Sequence, residues 1–277
     1  MERKLIFLDI DGTLTEPGRN VPPDSAVEAI RRARANGHRV MLATGRSYCM
    51  LSPLLQYGFD GLVGSAGGYI VYGGKVVYDC PMTPAQQTLV LDVLQRNGIF
   101  RTVEAKDHCY TDEAFKDFLR EITRAKGNSE LLRWQEQIER ELNIRPMAEF
   151  RGEPVYKVGF VSRDMASLRE PMRLLEDSFV FCIQGTDQYG IAINGELINK
   201  AFNKGSAVER MCAYLNVPIA CTIAFGDSMN DLEMLQTAGL GICMGNGSEA
   251  LKKIAGEVCA PVGEDGLYRA FAQHGLI

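Results

Sequence analysis

Two aspartates near the start of the chain have types and spacing that could bind a cation. Asp9 and Asp11 follow the apolar run LIFL and are separated only by Ile10. Two neighbouring carboxylates repel each other, and the pKa of one of them rises unless a cation neutralises the pair. Mg²⁺ binds a few carboxylates together with phosphate oxygens. The pattern fits either a metal site or an ordinary solvated turn that Gly12 and Thr13 close.

A second carboxylate pair occurs far downstream, in the segment FGDSMND. Asp227 directly follows the apolar run CTIAF, and Asp231 comes shortly after it. We expect Asp227 to be buried near a metal. Asp231 could equally be an acidic residue of the kind that is favoured at a helix N-terminus.

Two weaker signals could hold an anion. Thr44, Gly45 and Arg46 follow the apolar run VMLA, and a hydroxyl, an unhindered backbone and a following helix suit the binding of an oxyanion. Lys204 begins a predicted helix and could contact a phosphate, although Lys200 is an alternative for that role. Either lysine could also be an ordinary surface residue.

These polar segments stand at the ends of predicted strands. The runs KLIFLD, RVMLAT, GLVGS and CTIAFGD predict short buried strands, and the amphipathic segments between them predict helices. Alternating strands and helices predict a parallel sheet covered by helices. Because ligands of such sheets bind beyond the carboxyl ends of the strands, we expect the polar segments to converge there.

The middle of the chain has a different pattern. Strand pairs alternate with helical segments, including predicted helices over 112–125 and 129–142, the second of which places Trp134 in a core. YGIAINGELIN predicts a hairpin that turns on Asn194 and Gly195, and residues 187–189 are interpreted as turn residues. The predicted fold class is α/β, with a Rossmann-like parallel-sheet core and an inserted α+β domain. The predicted boundaries are 1–82 and 197–277 for the core and 83–196 for the insertion.

Composition favours a protein of the cell interior. Among the 277 residues 46% are hydrophobic, which allows a sizeable core, and the net charge of −5 argues against general nucleic-acid binding. No run approaches the roughly 18 apolar residues that span a membrane. The eight cysteines are scattered without a CxxC motif, as in a reducing compartment. We expect a cytoplasmic protein that binds neither nucleic acid nor membrane; the oligomeric state is not indicated.

The ordered motifs DIDGT, ATGR, NKG and GDSMND resemble those of the haloacid dehalogenase superfamily, specifically its Cof-like phosphatases. The insertion resembles the large α/β (type IIB) cap of that subgroup. The resemblance implies Mg²⁺-dependent hydrolysis of small phosphate esters, such as sugar phosphates or a phosphorylated cofactor, through an aspartyl-phosphate. The chain departs from the common family pattern in SAGG at 65–68 and in GNG at 245–247.

The resemblance also implies a role for each matching position. Asp9 would be the nucleophile and Asp11 the general acid–base. Asp9, Asp227 and the backbone carbonyl of Asp11 would bind Mg²⁺. The remaining implied roles are phosphate contacts for Thr44, Gly45, Lys204 and Asn230, ordering of the metal's water shell for Asp231, and bracing of the loop for Arg46.

Two other functions remain open in the sequence. A phosphomutase would return the phosphoryl group to a sugar instead of water, and the motifs do not separate it from a hydrolase. A non-catalytic metal-binding scaffold is the third hypothesis. The complete set of Asp9, Asp11, Lys204 and Asp227 argues against the scaffold. The sequence does not indicate which phosphate ester is the substrate.

Overall fold

The computed structural model describes residues 2–115, 117–118, 144–186 and 192–277. The predicted helix at 129–142, Trp134, residues 187–189 and most of the predicted helix at 112–125 lie outside these ranges. The chain divides into two compact units. The first unit comprises residues 1–46, 51–79 and 202–277, and the second comprises residues 47–50 and 80–201.

The described strands and helices follow one another along the chain as in the following two lists. The strands are β1 (Leu5–Leu8), β2 (Arg39–Ala43), β3 (Gly61–Gly64), β4 (Tyr69–Tyr72), β5 (Lys75–Asp79), β6 (Phe100–Ala105), β7 (Cys109–Thr111), β8 (Ile144–Pro146), β9 (Val155–Ser162), β10 (Phe179–Thr186), β11 (Ile193–Asn199), β12 (Thr222–Gly226), β13 (Leu240–Cys243) and β14 (Glu257–Val258). The helices are α1 (Asp24–Ala35), α2 (Ser52–Leu55), α3 (Pro84–Arg96), α4 (Met165–Leu175), α5 (Lys204–Leu215), α6 (Leu232–Thr237), α7 (Glu249–Lys252) and α8 (Gly266–Gln273).

The first unit is built on a mainly parallel sheet. Within the described residues its strand order is β14-β13-β12-β1-β2-β3-β4-β5, and every pair from β14 to β3 is parallel. The last two pairs are antiparallel, and β4 and β5 form the predicted hairpin with Gly73 and Gly74 in its turn. The structure therefore confirms the predicted parallel-sheet core.

Helices cover both faces of this sheet, which explains why its strands are apolar throughout. On one face, Leu5 and Phe7 of β1 pack in a cluster with residues of α5, among them Val208 and Met211. On the other face, the ring of Phe225 in β12 lies 5.5 Å from that of Phe271 in α8. The central strands are thus fixed on both sides, and so are the residues at their ends.

The second unit combines an antiparallel sheet with helices, as predicted for the insertion. Its described strands have the order β10-β11-β9-β6-β7-β8, and all pairs except β7 with β8 are antiparallel. Val90 and Leu94 of α3 and Leu168 of α4 pack with Val158 and Phe160 of β9 in one buried core. The predicted fold class, an α/β core with an inserted α+β domain, is confirmed.

The predicted hairpin at Asn194 and Gly195 is wrong. Both residues lie inside β11, which pairs with β10 on one side and with β9 on the other. A Cβ atom on Gly195 would lie 2.5 Å from the carbonyl oxygen of Cys182 and 2.6 Å from the ring of Phe160. The glycine is therefore required by close packing across the sheet and does not form a turn.

We expect Gly195→Ala to lower the free energy of unfolding by about 1–3 kcal/mol, because the added methyl group overpacks the sheet. The measurement is the urea midpoint of the second unit's unfolding. Gly256→Ala is the matched control, since its Cβ would meet no atom closer than 3.4 Å. Equal midpoints for the Gly195 variant and the native protein would contradict the packing argument.

Candidate active site

Three neighbouring strands bring polar residues to one edge of the first unit's sheet. The parallel register sets Leu8 of β1 beside Phe225 of β12 and beside Leu42 of β2. Asp9 therefore emerges next to the ends of both neighbours, and its backbone N–H donates to the carbonyl of Phe225 at 3.0 Å. Asp227 and Thr44 follow the same neighbouring strands, as the sequence predicts.

The Lys204 ammonium group joins two aspartates that are distant in sequence. Its Nζ atom donates to Oδ1 of Asp9 and to Oδ1 of Asp231, each at 2.6 Å. Lys204 is 1% exposed and Asp231 is fully buried, so little water competes for these contacts. Lys204 reaches this position as the first residue of α5, whose N-terminus Asn203 caps by accepting from the backbone N–H of Ser206.

Asp231 uses its other oxygen to hold the loop that carries Asp227. Oδ2 of Asp231 accepts from the backbone N–H groups of Asp227 at 3.0 Å and Ser228 at 3.2 Å. Asp231 also stands immediately before α6, in line with the helix-start interpretation. Both of its oxygens are thus engaged by protein groups, and Asp231 fixes the backbone at Asp227.

Asp11 faces a different partner from Asp9. Its carboxylate accepts from Nε of Arg46 at 2.8 Å and from Nη2 of Arg46 at 2.6 Å. Arg46 is 5% exposed and also donates to Oδ1 of Asn20 at 2.6 Å. Arg46 therefore holds the Asp11 carboxylate and the loop around Asn20 together.

Gly12 and Asn246 support the site, and our sequence analysis assigned no role to either. Gly12 has a φ of +86°, and a Cβ atom there would lie 2.3 Å from Oδ2 of Asp227. The absence of a side chain is what lets the Asp227 carboxylate lie against this turn. Asn246 donates to the carbonyl of Gly12 at 2.7 Å, and its Oδ1 accepts from the N–H of Val262. The motifs DIDGT and GNG contain both residues, but only their tertiary contact gives them a role.

The GNG motif has a steric reason for its second glycine. A Cβ atom on Gly247 would lie 2.7 Å from Sγ of Cys243 and 2.8 Å from the carbonyl oxygen of Asp227. This chain therefore has no room at that position for the alanine that the family commonly carries.

The segment TGR is bound to the loop that follows β3. Oγ1 of Thr44 accepts from the N–H of Arg46 at 3.1 Å, and the Thr44 carbonyl accepts from Ala66. Nothing lies within 4 Å of a Cβ built on Gly45, so the backbone there is open to a ligand. Ser65 and Ala66, in the divergent SAGG segment, adopt the left-handed region with φ of 50° and 57°.

Two other residues in the sequence predictions lie away from this group of contacts. Asn230 is exposed and accepts from the hydroxyl of Ser228 at 2.8 Å. Lys200 belongs to the second unit, where its Nζ donates to the carbonyl of Glu176 at 2.5 Å. Of the two lysines considered for phosphate binding, Lys204 is therefore the one that contacts the aspartates.

The site carries more negative than positive charge. Burial and the nearby Asp231 carboxylate raise the pKa of Asp9 well above its usual value, although Lys204 opposes the shift. The same two causes raise the pKa of Asp227 to about 7. Burial opposes protonation of Lys204, but Asp231 and Asp9 outweigh it and raise the pKa of the ammonium group. A divalent cation would relieve this excess of carboxylate charge.

Asp9, Asp227 and Asp231 offer the oxygen ligands that such a cation prefers. One carboxylate oxygen from each lies within 4.8 Å of the others. Asp231 is already bound on both oxygens, so Asp9 and Asp227 are the better candidates for direct ligands. Hard carboxylate ligands favour Mg²⁺ over a softer transition metal.

A family model for haloacid dehalogenase-like hydrolases matches residues 6–271 of the chain. Among curated proteins, the chain is 26% identical to the Bacillus subtilis 5-amino-6-(5-phospho-D-ribitylamino)uracil phosphatase YitU, covering 99% of both chains. It is 25% identical to the Escherichia coli pyridoxal phosphate phosphatase YbhA, again covering 99% of both.

A solved sugar phosphatase of haloacid dehalogenase subclass IIB has the same fold. It superposes with a TM-score of 0.76 at 22% identity, covering 99% of this chain and all of that one. No helix among the described residues is long and apolar enough to cross a membrane. The predicted family is confirmed: the chain belongs to the haloacid dehalogenase-like hydrolases, among which the curated relatives that it matches along their length are phosphatases.

Proposed function

We propose that the protein is a Mg²⁺-dependent hydrolase of small phosphate monoesters that works through an aspartyl-phosphate on Asp9. In this proposal residues 1–82 and 197–277 form the catalytic core, and residues 83–196 form the cap. The observation that carries the proposal is the Lys204 ammonium group, which bridges Asp9 and Asp231 beside Asp227. A surface lysine or an ordinary aspartate turn does not explain this buried arrangement.

Asp9, Asp227 and the backbone carbonyl of Asp11 would hold the metal. When bound, Mg²⁺ supplies positive charge that offsets the charge of the phosphate and stabilises the transferring phosphoryl group. The excess carboxylate charge at this edge of the sheet supports a cation there. Asp231, with both oxygens engaged, would order the surroundings of the metal instead of binding it directly.

Asp9 must be ionised to attack phosphorus. The Lys204 contact to Oδ1 favours the ionised form and fixes the direction of the carboxylate. An oxygen of Asp9 attacks the phosphorus, the bond from phosphorus to the ester oxygen breaks, and the phosphoryl group is carried by Asp9. Water then attacks the phosphorus of this intermediate, which releases phosphate and restores Asp9.

Asp11 manages the proton in both steps. It protonates the departing alkoxide and later takes a proton from the attacking water. The two-pronged contact from Arg46 favours ionised Asp11, which is the form that accepts the proton from water. The first step requires protonated Asp11, so we infer that the Arg46 contact loosens in that step.

The phosphate group would be held by the remaining residues of the edge. Lys204 lies beside the nucleophile, Thr44 offers a hydroxyl, and the open backbone at Gly45 can approach an oxyanion. We assign Asn230 a contact on the exposed side of the site. Arg46 supports the group through Asp11.

The proposed substrates are small phosphorylated metabolites. The named relatives act on a ribitylaminouracil phosphate and on pyridoxal phosphate, and the subclass IIB structure is of a sugar phosphatase. The direct test is phosphate release from a panel of sugar phosphates and phosphorylated cofactors in the presence of Mg²⁺. Failure to release phosphate from any of them would contradict the proposal. An isomerised sugar phosphate without free phosphate would favour the phosphomutase.

Asp9→Asn should abolish phosphate release while the protein stays folded, because an amide cannot form the aspartyl-phosphate. The measurement is turnover of the best panel substrate, with circular dichroism to confirm folding. Asp24→Asn is the control, since Asp24 is an exposed residue at the start of α1 and lies outside the site. Turnover of the Asp9 variant at a level near that of the control would refute the nucleophile assignment.

Asp11→Asn should lower kcat by at least about a hundredfold, the usual scale of general acid–base catalysis. An asparagine can still accept hydrogen bonds from Arg46 but cannot carry the proton. The variant should therefore melt within a few degrees of the native protein while its rate falls. An unchanged kcat would remove Asp11 from the proton-transfer role.

The Asp227 carboxyl should make the metal-free protein less stable as the pH rises. Its pKa rises from 3.8 to about 7 on folding, so its stabilising contribution is complete below pH 3.8 and is lost as the pH passes through 7. In EDTA, the melting temperature of Asp227→Asn should therefore fall less than that of the native protein between pH 4.5 and 7.5. Thermal stabilisation by added Mg²⁺ should grow over the same pH interval, because the metal binds ionised carboxylates. Equal Mg²⁺ stabilisation of the native protein and the Asp227 variant at pH 7.5 would contradict the metal site.

A further inference from the structure

The short segment at 47–50 follows Arg46 directly but belongs to the second unit. Ser47 is buried and donates from its hydroxyl to Oε2 of Glu104 at 2.5 Å. Cys49 and Met50 are buried in a separate apolar cluster of that unit, which also contains Cys109, Phe115, Phe118, Val161 and Ala192. The segment is thus anchored in the second unit by one polar contact and two side chains.

Cys49 and Cys109 place their thiols side by side in this cluster. Their Sγ atoms are 3.3 Å apart, and the two residues are 5% and 0% exposed. Cys109 lies in β7 opposite Glu104 of β6, and Cys49 also contacts the carbonyl of Ala105. Two thiols held between the same pair of strands need to approach by only about 1.3 Å to reach the disulfide bond length of about 2.05 Å.

We propose that Cys49 and Cys109 are a modification site, a dithiol that oxidises to a disulfide between the segment 47–50 and strand β7. The co-reactant is a small disulfide such as oxidised glutathione. One thiolate attacks it, releases one molecule of reduced glutathione and forms a mixed disulfide. The second thiolate then displaces the other glutathione, so two thiols are oxidised, one disulfide is reduced and two protons leave.

Burial governs how fast this oxidation proceeds. The hydrogen bond with Cys49, followed by burial, raises the pKa of the Cys109 thiol well above its usual value, so the reactive thiolate is scarce. The oxidant also has no direct path to sulfurs that are almost fully covered. Oxidation therefore waits for local opening of the segment 47–50, and the bond is protected from reduction once the segment closes.

The disulfide would tie together parts of the chain that are far apart in sequence. It would link the segment that begins one peptide bond after Arg46 to the sheet of the second unit. Closing this loop restricts the unfolded chain, so the oxidised protein should melt several degrees higher than the reduced protein.

The experiment treats the native, fully reduced protein with oxidised glutathione and maps its peptides without reduction. We expect the peptides that contain Cys49 and Cys109 to be joined, and two fewer of the eight cysteines to accept iodoacetamide after unfolding. Dithiothreitol should restore all eight thiols and the lower melting temperature. Joined Cys49 and Cys109 peptides that appear only after the protein is unfolded would overturn the proposal.

Two variants separate this pair from other thiols. Cys221→Ser, which removes a cysteine bonded to Glu2 in the first unit, should still form the joined peptide and show the same rise in melting temperature. Cys49→Ser should lose both. Glutathione attached to other cysteines without a bond between Cys49 and Cys109 in the native protein would overturn the proposal even if the Cys49 variant fails to fold.

Discussion

The buried ammonium group of Lys204 is the interaction on which the rest of the site depends. It holds Asp9 at the end of β1 and Asp231 before α6 at equal distances, and Asp231 in turn binds the backbone at Asp227. Without this cation, two buried carboxylates would face each other unpaired, a situation that typically costs several kcal/mol. One side chain therefore aligns three segments from opposite ends of the sequence.

Asp9 and Asp11 are near neighbours in sequence but have separate environments. Asp9 is buried against an ammonium group and two further carboxylates, whereas Asp11 is partly exposed and paired with the Arg46 guanidinium. Carboxylates with different surroundings can take different roles in one reaction. The backbone turn between them, shaped by Gly12, sends one side chain toward Lys204 and the other toward Arg46. This division is what the proposed nucleophile and proton carrier need.

The strand ends were predictable from sequence, but the contacts between them were not. Apolar runs that end in Asp9 and Asp227 predict neighbouring parallel strands, and the ordered motifs add Lys204. The Asn194–Gly195 pair has the strongest local hairpin signal, yet its glycine serves the packing of Phe160 and the Cys182 carbonyl across the sheet. The contact of Asn246 with Gly12 and the placement of 47–50 in the second unit likewise depend on tertiary structure. Local patterns carry no information about such partners.

The central claim is that the phosphoryl group passes through Asp9, and trapping the intermediate tests it most directly. The enzyme would be mixed with its best substrate and Mg²⁺, quenched in acid within one turnover, and digested for peptide mass mapping. The account predicts a phosphoryl group on the side chain of Asp9, and greater accumulation of it in the Asp11→Asn variant, which cannot activate water. A phosphoryl group on any other residue, or turnover with no phosphorylated peptide in that variant, would contradict the account.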